Sequence, residues 1–187
     1  MFPLKEIGRV QAGQGSILFG GLNMGVTVTD FANVRERAAE LRLTLSSDLA
    51  ILPRHFSSAT SAADLVHEAD ATTLRKLLNN AGLDVQQLEP PGGRLPSVVQ
   101  KSADWISPTI FVGSLLLTQN PYAIQVALNV LASYLTDFLR GRPSGATARI
   151  SIVVERTNRK TYKQVSYEGP PSGIKDLASV LTGLRDE

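Results

Sequence analysis

The strongest hydrophobic pattern in the chain lies between residues 121 and 140, where apolar side chains recur every three or four positions. Asn120 and Pro121 begin it, as a capping side chain and a proline suited to the first helical position. The spacing predicts a helix over 121–140. Because the polar stripe is narrow, the helix is interpreted either as a core helix or as one partly buried in an interface. The candidate interface residues are Ile124, Leu128, Leu131, Leu135 and Phe138.

A second pattern, with a period of two, follows this helix. Ile150, Ile152 and Val154 occupy alternate positions, and Val165 and Tyr167 do so again after a polar turn at 157–160. This alternation predicts a β-hairpin whose inward face packs on the long helix. A closing helix is expected to begin at 172, where a serine can cap it.

The segment before the long helix is ambiguous. Ser107 and Pro108 repeat the punctuation of residues 120 and 121, which predicts a helix over about 108–118. The β-branched residues Thr109, Ile110 and Val112 leave a strand as the alternative.

The first half of the chain has shorter patterns. Its glycine-rich first thirty residues indicate either loose strands joined by turns or an arm that orders on a partner. Apolar spacing predicts a helix from Asp30 to about residue 45, and a short buried strand over 48–53. Ser61 and Asp64 form a capping-box pattern that predicts a helix to about Glu68. A further helix is predicted between Asp70 and a glycine stop at residue 82.

Prolines and glycines in 89–96 interrupt both helix and strand, so this segment is taken as the boundary between two halves. The fold class is predicted to be α+β. It consists of a mixed N-terminal half over 1–90 and a C-terminal half over 97–187, with two helices, a hairpin and a closing helix. A single fused domain is the alternative.

Composition narrows the function classes. The 187 residues are 43% hydrophobic and 19% charged and contain no cysteine, which suits a soluble globular protein and excludes disulfides and thiolate metal sites. No signal-peptide pattern begins the chain, so the cytoplasm of a prokaryote is the expected location. The run over 110–117 is too short to span a membrane, and polar residues in 121–139 make a stable transmembrane span costly.

Charge is unevenly distributed. The net charge is only +2, but 140–163 holds seven cations and one acid. Such a segment suggests, as one alternative function, binding to nucleic acid or an anionic surface. The candidate contacts for this alternative are Arg149, Arg156, Arg159, Lys160 and Lys163.

Catalytic patterns are weak. The two histidines, His55 and His67, are twelve residues apart and fit no zinc or HExxH spacing, and they are interpreted as a turn residue and a surface residue on a helix. A His–His–carboxylate site with Asp64 or Glu68 is the alternative. The chain has no G-x-S-x-G elbow, and the glycines at 13–16 lack the rest of a P-loop. We therefore predict no catalytic residue, metal or cofactor, and keep an unrecognised enzyme or small-ligand sensor as a further alternative.

A resemblance supports a binding role. Residues 122–142 form an apolar helix that ends in basic residues, 150–155 and 162–168 form a strand pair, and 174–181 form a short helix. In this order, the segment from about 113 to 184 resembles the effector-associated constant component modules of bacterial conflict and defence systems. The chain has Tyr134 and Phe138 where a tryptophan is expected, and residues 1–90 have no counterpart. The resemblance implies a non-enzymatic adaptor that couples a defence effector to another component, and no functional residue carries over.

From these observations we predict a non-enzymatic interaction protein that self-associates or binds a protein partner, with a defence effector as one candidate.

Overall fold

The computed structural model of the chain describes residues 16–18, 25–98, 105–140, 147–156 and 161–186. In this part of the chain the strands are β1 (Ser16–Leu18), β2 (Gly25–Phe31), β3 (Leu49–Leu52), β4 (His67–Glu68), β5 (Gln86–Gln87), β6 (Ser97–Val98), β7 (Trp105–Ile106), β8 (Thr109–Val112), β9 (Ala148–Glu155) and β10 (Tyr162–Gly169). The α-helices are α1 (Val34–Glu40), α2 (Ala71–Asn80), α3 (Ser114–Gln119), α4 (Pro121–Leu139) and α5 (Leu177–Asp186). Two 3₁₀ segments, Ala62–Asp64 and Pro171–Asp176, complete the described elements.

One mixed sheet organises these elements. Its order is β1-β2-β10-β9-β8-β3-β5, and β7 pairs with β9 beside β8. The hairpin is antiparallel, with Tyr162 opposite Glu155 and Gly169 opposite Ala148. Strands β8 and β9 are parallel, as are β3 and β5, whereas β3 and β8 are antiparallel. The strands β4 and β6 form a separate parallel pair.

Both faces are buried along β8 from Ile110 and along β9 from Ile152, which explains why these stretches are almost continuously apolar. On one face, Ile152 and Val165 pack with residues of α2, α4 and α5. On the other face, Phe111 and Val153 pack with Val34 and other residues of α1 and with the loop after β3. The sheet is therefore the middle layer of three.

Helix α4 is the main element of the first helical layer. The Asn120 side chain accepts a hydrogen bond from the Ala123 backbone N–H at 3.2 Å, and Pro121 holds the first position, as the sequence predicts. The residues that the helix buries against the sheet and its neighbouring helices are Ala123, Ile124, Ala127, Leu128, Leu131, Ala132 and Leu135. Of the two interpretations of this stripe, the core helix is the one that the packing supports.

The first helix is shorter than predicted. Asp30 does not begin it, because β2 continues to Phe31 and pairs along its length with β10. The helix begins at Val34, after Asn33, whose side chain accepts hydrogen bonds from the backbone N–H groups of residues 35 and 36. It ends at Glu40, and Arg42 has a positive φ of 55°. Distant strand pairing therefore overrides the local apolar spacing.

Two further helix predictions need correction. The capping box at Ser61 and Asp64 is present, but the 3₁₀ segment ends at once and the chain becomes extended at Leu65. The predicted helix over 108–118 is wrong at its start, since Thr109–Val112 forms the alternative strand and a helix begins only at Ser114. In both places the competing signal is burial between neighbouring strands.

Several predictions are confirmed. Strand β3 is fully buried, α2 ends before Gly82 with a φ of 86°, and the hairpin lies where the pattern places it. The closing helix is present, but the predicted serine cap at 172 is wrong: a 3₁₀ segment begins at Pro171 and leads into α5. The hairpin turn at 157–160 and the glycines before residue 16 lie outside the described residues.

The fold is α+β, as predicted. In one sheet, the central strands from 97–187 are flanked on both sides by strands from 1–90, with β2 beside β10 and β3 beside β8. This shared sheet favours the single fused domain over two separate halves.

Candidate functional site

Near each end of strand β3 an arginine contacts a carboxylate: Arg35, from α1, at the first end and Arg54 at the second. At the first end, Arg35 donates from Nε to Glu155 Oε1 and from Nη2 to Glu155 Oε2, both at 2.9 Å. The same Nη2 lies 2.6 Å from Asp48 Oδ1. Two further donors approach Glu155: the Tyr162 hydroxyl at 2.9 Å and the Ser114 backbone N–H at 3.1 Å. We call these five residues the Arg35 cluster.

The Arg35 cluster is closed. Burial would by itself raise the pKa of Glu155, but the hydrogen bonds from Arg35, Ser114 and Tyr162 outweigh it and lower the pKa to about 2. Burial raises the pKa of Tyr162, and its hydrogen bond to Glu155 raises that pKa further. The guanidinium also lies 5.7 Å from the centre of the Phe111 ring. Because Glu155 remains ionised and its partners are all within the fold, this cluster has a structural role.

Gly113 makes the close approach in this cluster possible. Its backbone N–H donates to the Asp48 carbonyl at 2.7 Å. A Cβ at residue 113 would lie 2.7 Å from Asp48 Cγ and 2.9 Å from its Cβ, which is closer than side chains pack. The glycine therefore allows Asp48 to reach Arg35.

The second end of β3 opens into a pocket. Pro53 ends the strand, and the next residues turn away from the sheet, with a positive φ of 61° at His55. Beside this turn is a surface pocket of about 280 Å³. Its polar lining consists of Arg54, His55, Ser57, Ser58, Thr109 and Gln164. We call it the Arg54 pocket.

Hydrogen bonds hold the turn that forms the pocket wall. The Ser58 and Ala59 backbone N–H groups both donate to the His55 carbonyl, at 2.9 and 2.7 Å. From α1, Arg37 donates through Nε to the Phe56 carbonyl at 3.3 Å and through Nη2 to the Ala59 carbonyl. The positive φ at His55 is thus imposed by a braced loop.

Arg54 is only partly neutralised in this pocket. Its Nε lies 3.1 Å from Glu68 Oε1, and no hydrogen bond of its other two guanidinium nitrogens is found among the described residues. Burial raises the pKa of Glu68, while Arg54 opposes that effect. The ion pair therefore leaves the outer edge of the guanidinium available.

His67 is buried next to this region, which corrects the prediction of a surface histidine on a helix. It lies in strand β4 and has no exposed area. Its Nε2 is 2.9 Å from the Leu88 carbonyl and 3.5 Å from Glu89 Oε1, whereas its buried Nδ1 has no hydrogen-bond partner. Burial lowers its pKa, although Leu88 and Glu89 act in the opposite direction.

The two histidines do not form the alternative metal site. Among the described residues, no group of three histidine, aspartate or glutamate side chains could hold a metal ion. His55 faces the pocket and His67 faces the loop at 88–89. Asp64 is occupied by its capping hydrogen bonds to Thr60 and Ser61.

The proposed interface residues are placed in the interior. Ile124, Leu128, Leu131 and Leu135 are buried in the chain's own core, so they offer no surface to a partner in this fold. Phe138 is half-buried and packs near Tyr134, with the ring centres 6.2 Å apart. The interface prediction for the four buried residues is therefore corrected: the fold itself covers them.

The basic candidates are dispersed. Arg149 pairs with Glu168 at 3.2 Å, and Lys163 pairs with Asp30 at 2.7 Å. Arg156 is buried, and its distance from Arg149 along β9 is about 23 Å. Arg159 and Lys160 lie outside the described residues. Within the described chain, these cations do not form one continuous surface for phosphates.

Among the described residues three large apolar side chains are exposed: Val98 in β6, at 36%, and one on each of two consecutive helices. Leu115 on α3 is 54% exposed and Tyr122 on α4 is 74% exposed. They lie on either side of the turn between these consecutive helices. We call this region the α3–α4 corner.

One described helix, Pro121–Leu139, has the length and mean hydropathy, 1.2, that a membrane span requires. Its apolar face packs against the sheet, so the prediction of no stable transmembrane span is consistent with the structure.

Comparisons with family models, with curated proteins and with solved structures give no match to this chain. Proposals about its function therefore depend on its own geometry and on the resemblance described above.

The sequence does not predict the Arg54 pocket, because the polar residues that line it come from three distant segments. The one local signal is the pair Arg54 and His55 directly after the strand-ending Pro53, where a turn brings polar side chains to the end of a buried strand.

Proposed function

We propose that this protein is a non-enzymatic interaction module that binds a protein partner through the α3–α4 corner. The observation that carries the proposal is the exposure of Leu115 and Tyr122 on two consecutive helices. Tyrosine is among the residues that contribute most to protein interfaces, since its large ring is apolar and its hydroxyl still forms hydrogen bonds. All other long aliphatic side chains of α3 and α4 are at least partly covered in the fold.

The environment of the ionisable groups also supports a binding role. The most buried carboxylate of the Arg35 cluster, Glu155, has all its donors within the fold. A general acid or base must itself come within hydrogen-bond distance of a substrate, whereas the groups of this cluster are hydrogen-bonded to one another. The cluster therefore suits a stable scaffold for a surface.

The resemblance of residues 113–184 supplies the context. The segment includes α4, the hairpin β9–β10 and the closing helix, in the order found in effector-associated constant component modules. On this basis we propose an adaptor in a bacterial defence system, located in the cytoplasm, that couples an effector to another component. Of a hetero-complex and a self-association, we favour the hetero-complex, because two exposed apolar side chains mark the corner rather than a broad apolar face.

The experiment combines light scattering with a binding assay. The purified protein is analysed by size-exclusion chromatography with light scattering over a wide concentration range, and its interaction with the products of neighbouring genes is measured by pull-down and titration. The variants are Leu115→Asp and Tyr122→Asp, which place a charge at the corner. We expect each to weaken the complex by about tenfold or more, as for central interface residues.

Ser133→Asp is the matched control, because residue 133 is exposed on α4 beyond the corner. It adds the same charge and should leave binding unchanged. The proposal is wrong if the wild-type protein is a monomer at every concentration and binds none of these products. It is also wrong if a complex forms and both corner variants retain full affinity while folding normally.

A further inference from the structure

We propose that the Arg54 pocket binds the oxyanion group, a phosphate or a carboxylate, of a small molecule. This site is separate from the α3–α4 corner and does not depend on the proposed function.

The pocket lining is rich in hydrogen-bond donors. The side chains that can donate hydrogen bonds into the pocket are Arg54, His55, Ser57 and Thr109. Neither aspartate nor glutamate is among the described residues that line it. A site with several donors and a cation but no lining carboxylate favours an anionic oxygen ligand over a cation.

Arg54 faces solvent and uses only Nε in its contact with Glu68. Its side chain is 35% exposed, whereas that of Glu68 is 10% exposed, so the guanidinium is the member of the pair that faces solvent. Contact with Glu68 uses Nε, which leaves the edge formed by the two terminal nitrogens. This edge presents two parallel N–H donors, the geometry that binds a phosphate or carboxylate through two oxygens.

Arg35 demonstrates in the same molecule that one guanidinium can serve two carboxylates at once. It holds Glu155 and Asp48 together, at 2.9 and 2.6 Å. Arg54 contacts one carboxylate, at 3.1 Å, and none of the described residues supplies a second one. An incoming oxyanion would take the position that Asp48 takes beside Arg35.

Hydrogen bonds hold both walls of the pocket in place before any ligand binds. The Arg37 hydrogen bonds to the carbonyls of Phe56 and Ala59 fix the loop that carries His55 and Ser57. On the opposite wall, the Gln164 amide donates to the Ser151 hydroxyl at 2.7 Å, which orients that side chain. A braced pocket loses less conformational entropy when a ligand binds.

The size of the pocket indicates that the ligand is small. A volume of about 280 Å³ is at the lower limit of ordinary small-molecule sites, which span about 300–1,000 Å³. The pocket therefore has room for an oxyanion with a short organic group.

The test uses backbone amide NMR of the whole chain. Sodium phosphate, glycerol phosphate and sodium acetate are titrated separately, and sodium chloride at the same ionic strength is the reference. We expect saturable shifts at residues 54–58 and 109 with at least one of the three oxyanions. The phosphate and acetate arms distinguish the two anion classes, and glycerol phosphate measures the contribution of the organic group.

Arg54→Gln removes the charge and should weaken binding by about tenfold or more, which is typical of a lost charge-assisted hydrogen bond. Arg94→Gln is the matched control, because it removes the same charge from an exposed loop position outside the pocket lining. His55→Gly is the second variant in case the first one does not fold, since glycine accepts the positive φ. It should weaken binding severalfold through loss of the imidazole.

Three results would overturn the proposal: shifts equal to those with chloride, shifts confined to residues outside the pocket, or equal affinity of the wild-type protein and every folded pocket variant.

Discussion

The two ends of strand β3 use the same pair of residue types in opposite ways. Before the strand, Arg35 is saturated by Glu155 and Asp48, and Glu155 is saturated in turn by Tyr162 and the Ser114 backbone. After the strand, Arg54 meets Glu68 alone and keeps part of its guanidinium exposed. An arginine–carboxylate contact therefore does not by itself define a structural or a binding role. The number of further partners decides whether it stabilises the fold or remains open to a ligand.

The carboxylates differ in the same way. Donors around Glu155 overcome the effect of burial and lower its pKa to about 2, whereas burial dominates at Glu68 and raises its pKa. The Arg35 cluster is therefore expected to contribute more to stability at neutral pH than the Arg54–Glu68 pair.

The largest expected effect comes from removing the centre of the closed cluster. Glu155→Ala leaves Arg35, Tyr162 and the Ser114 N–H without their common acceptor. Breaking a buried, hydrogen-bonded ion pair from one side costs about 3–5 kcal/mol of unfolding free energy. Since Arg35 is partly exposed, we expect the lower part of that range. Urea unfolding followed by circular dichroism measures it.

Glu168→Ala is the control for this loss. Glu168 pairs with Arg149 on the exposed surface at 3.2 Å, and such pairs contribute about 0–1 kcal/mol. Equal losses in the two variants would contradict the structural role of the Arg35 cluster.

A second variant tests the cluster through its backbone. Gly113→Ala places a Cβ within 2.7 Å of Asp48 Cγ, so the carboxylate must move away from Arg35. We expect a loss of about 1–3 kcal/mol, as for other overpacked sites. Thermal and urea unfolding measure it.

Gly183→Ala is the matched control, because nothing lies within 4 Å of a Cβ there and the residue is inside α5. It should raise stability by about 0.5–1 kcal/mol, owing to the higher helix propensity of alanine. A stable Gly113→Ala protein would mean that Asp48 is not needed beside Arg35.

At the open end of β3 we expect a smaller effect. Arg54→Gln leaves Glu68 mostly buried without its cation, at a cost of about 1–2 kcal/mol near neutral pH. The folded-state pKa of Glu68, already raised, rises further in the variant. A raised carboxyl pKa destabilises the fold only above the unfolded value, so the cost should shrink as the pH falls through that value. Unfolding curves at neutral and acidic pH test this, and a cost that grows on acidification would contradict it.

The sequence predicts the elements that local signals define, and it fails where partners are distant. The caps at residues 120 and 61 and the alternation in the hairpin are local, and all are present in the fold. The Arg35–Glu155 contact joins residues 120 positions apart, so no spacing could indicate it. Asp30 was misassigned to a helix because its strand pairs with β10, far along the chain.

The candidate site is predicted less well than the fold, for the same reason. Its lining comes from Phe31 in β2, from the end of β3 and the loop after it, from Thr109 and from Gln164. The interface prediction on α4 was wrong for its buried members, because a stripe that faces a partner and a stripe that faces the chain's own sheet have the same periodicity.

The smallest effect concerns His67, which lies beside the open end of β3 without belonging to the pocket. Burial lowers its pKa from the usual 6.5, and its Nδ1 would have no acceptor for a second proton. A base whose folded pKa is lowered binds its proton more readily in the unfolded chain. The stability that it contributes is therefore complete above the unfolded pKa and is lost as the pH falls below about 6.5.

His67→Gln removes this titration, so the difference in unfolding free energy between wild-type and variant should shift in favour of the variant as the pH falls from 7 to 5. Glu155 does not interfere, because its own loss of stability begins below its usual pKa of 4.5 and extends to about 2. Urea unfolding at several pH values measures both pH ranges, the one in which His67 loses its contribution to stability and the one in which Glu155 does. Parallel pH profiles of the two proteins above pH 5 would mean that water or local opening reaches Nδ1. The open end of β3 would then include the loop at 88–89 as well as the Arg54 pocket.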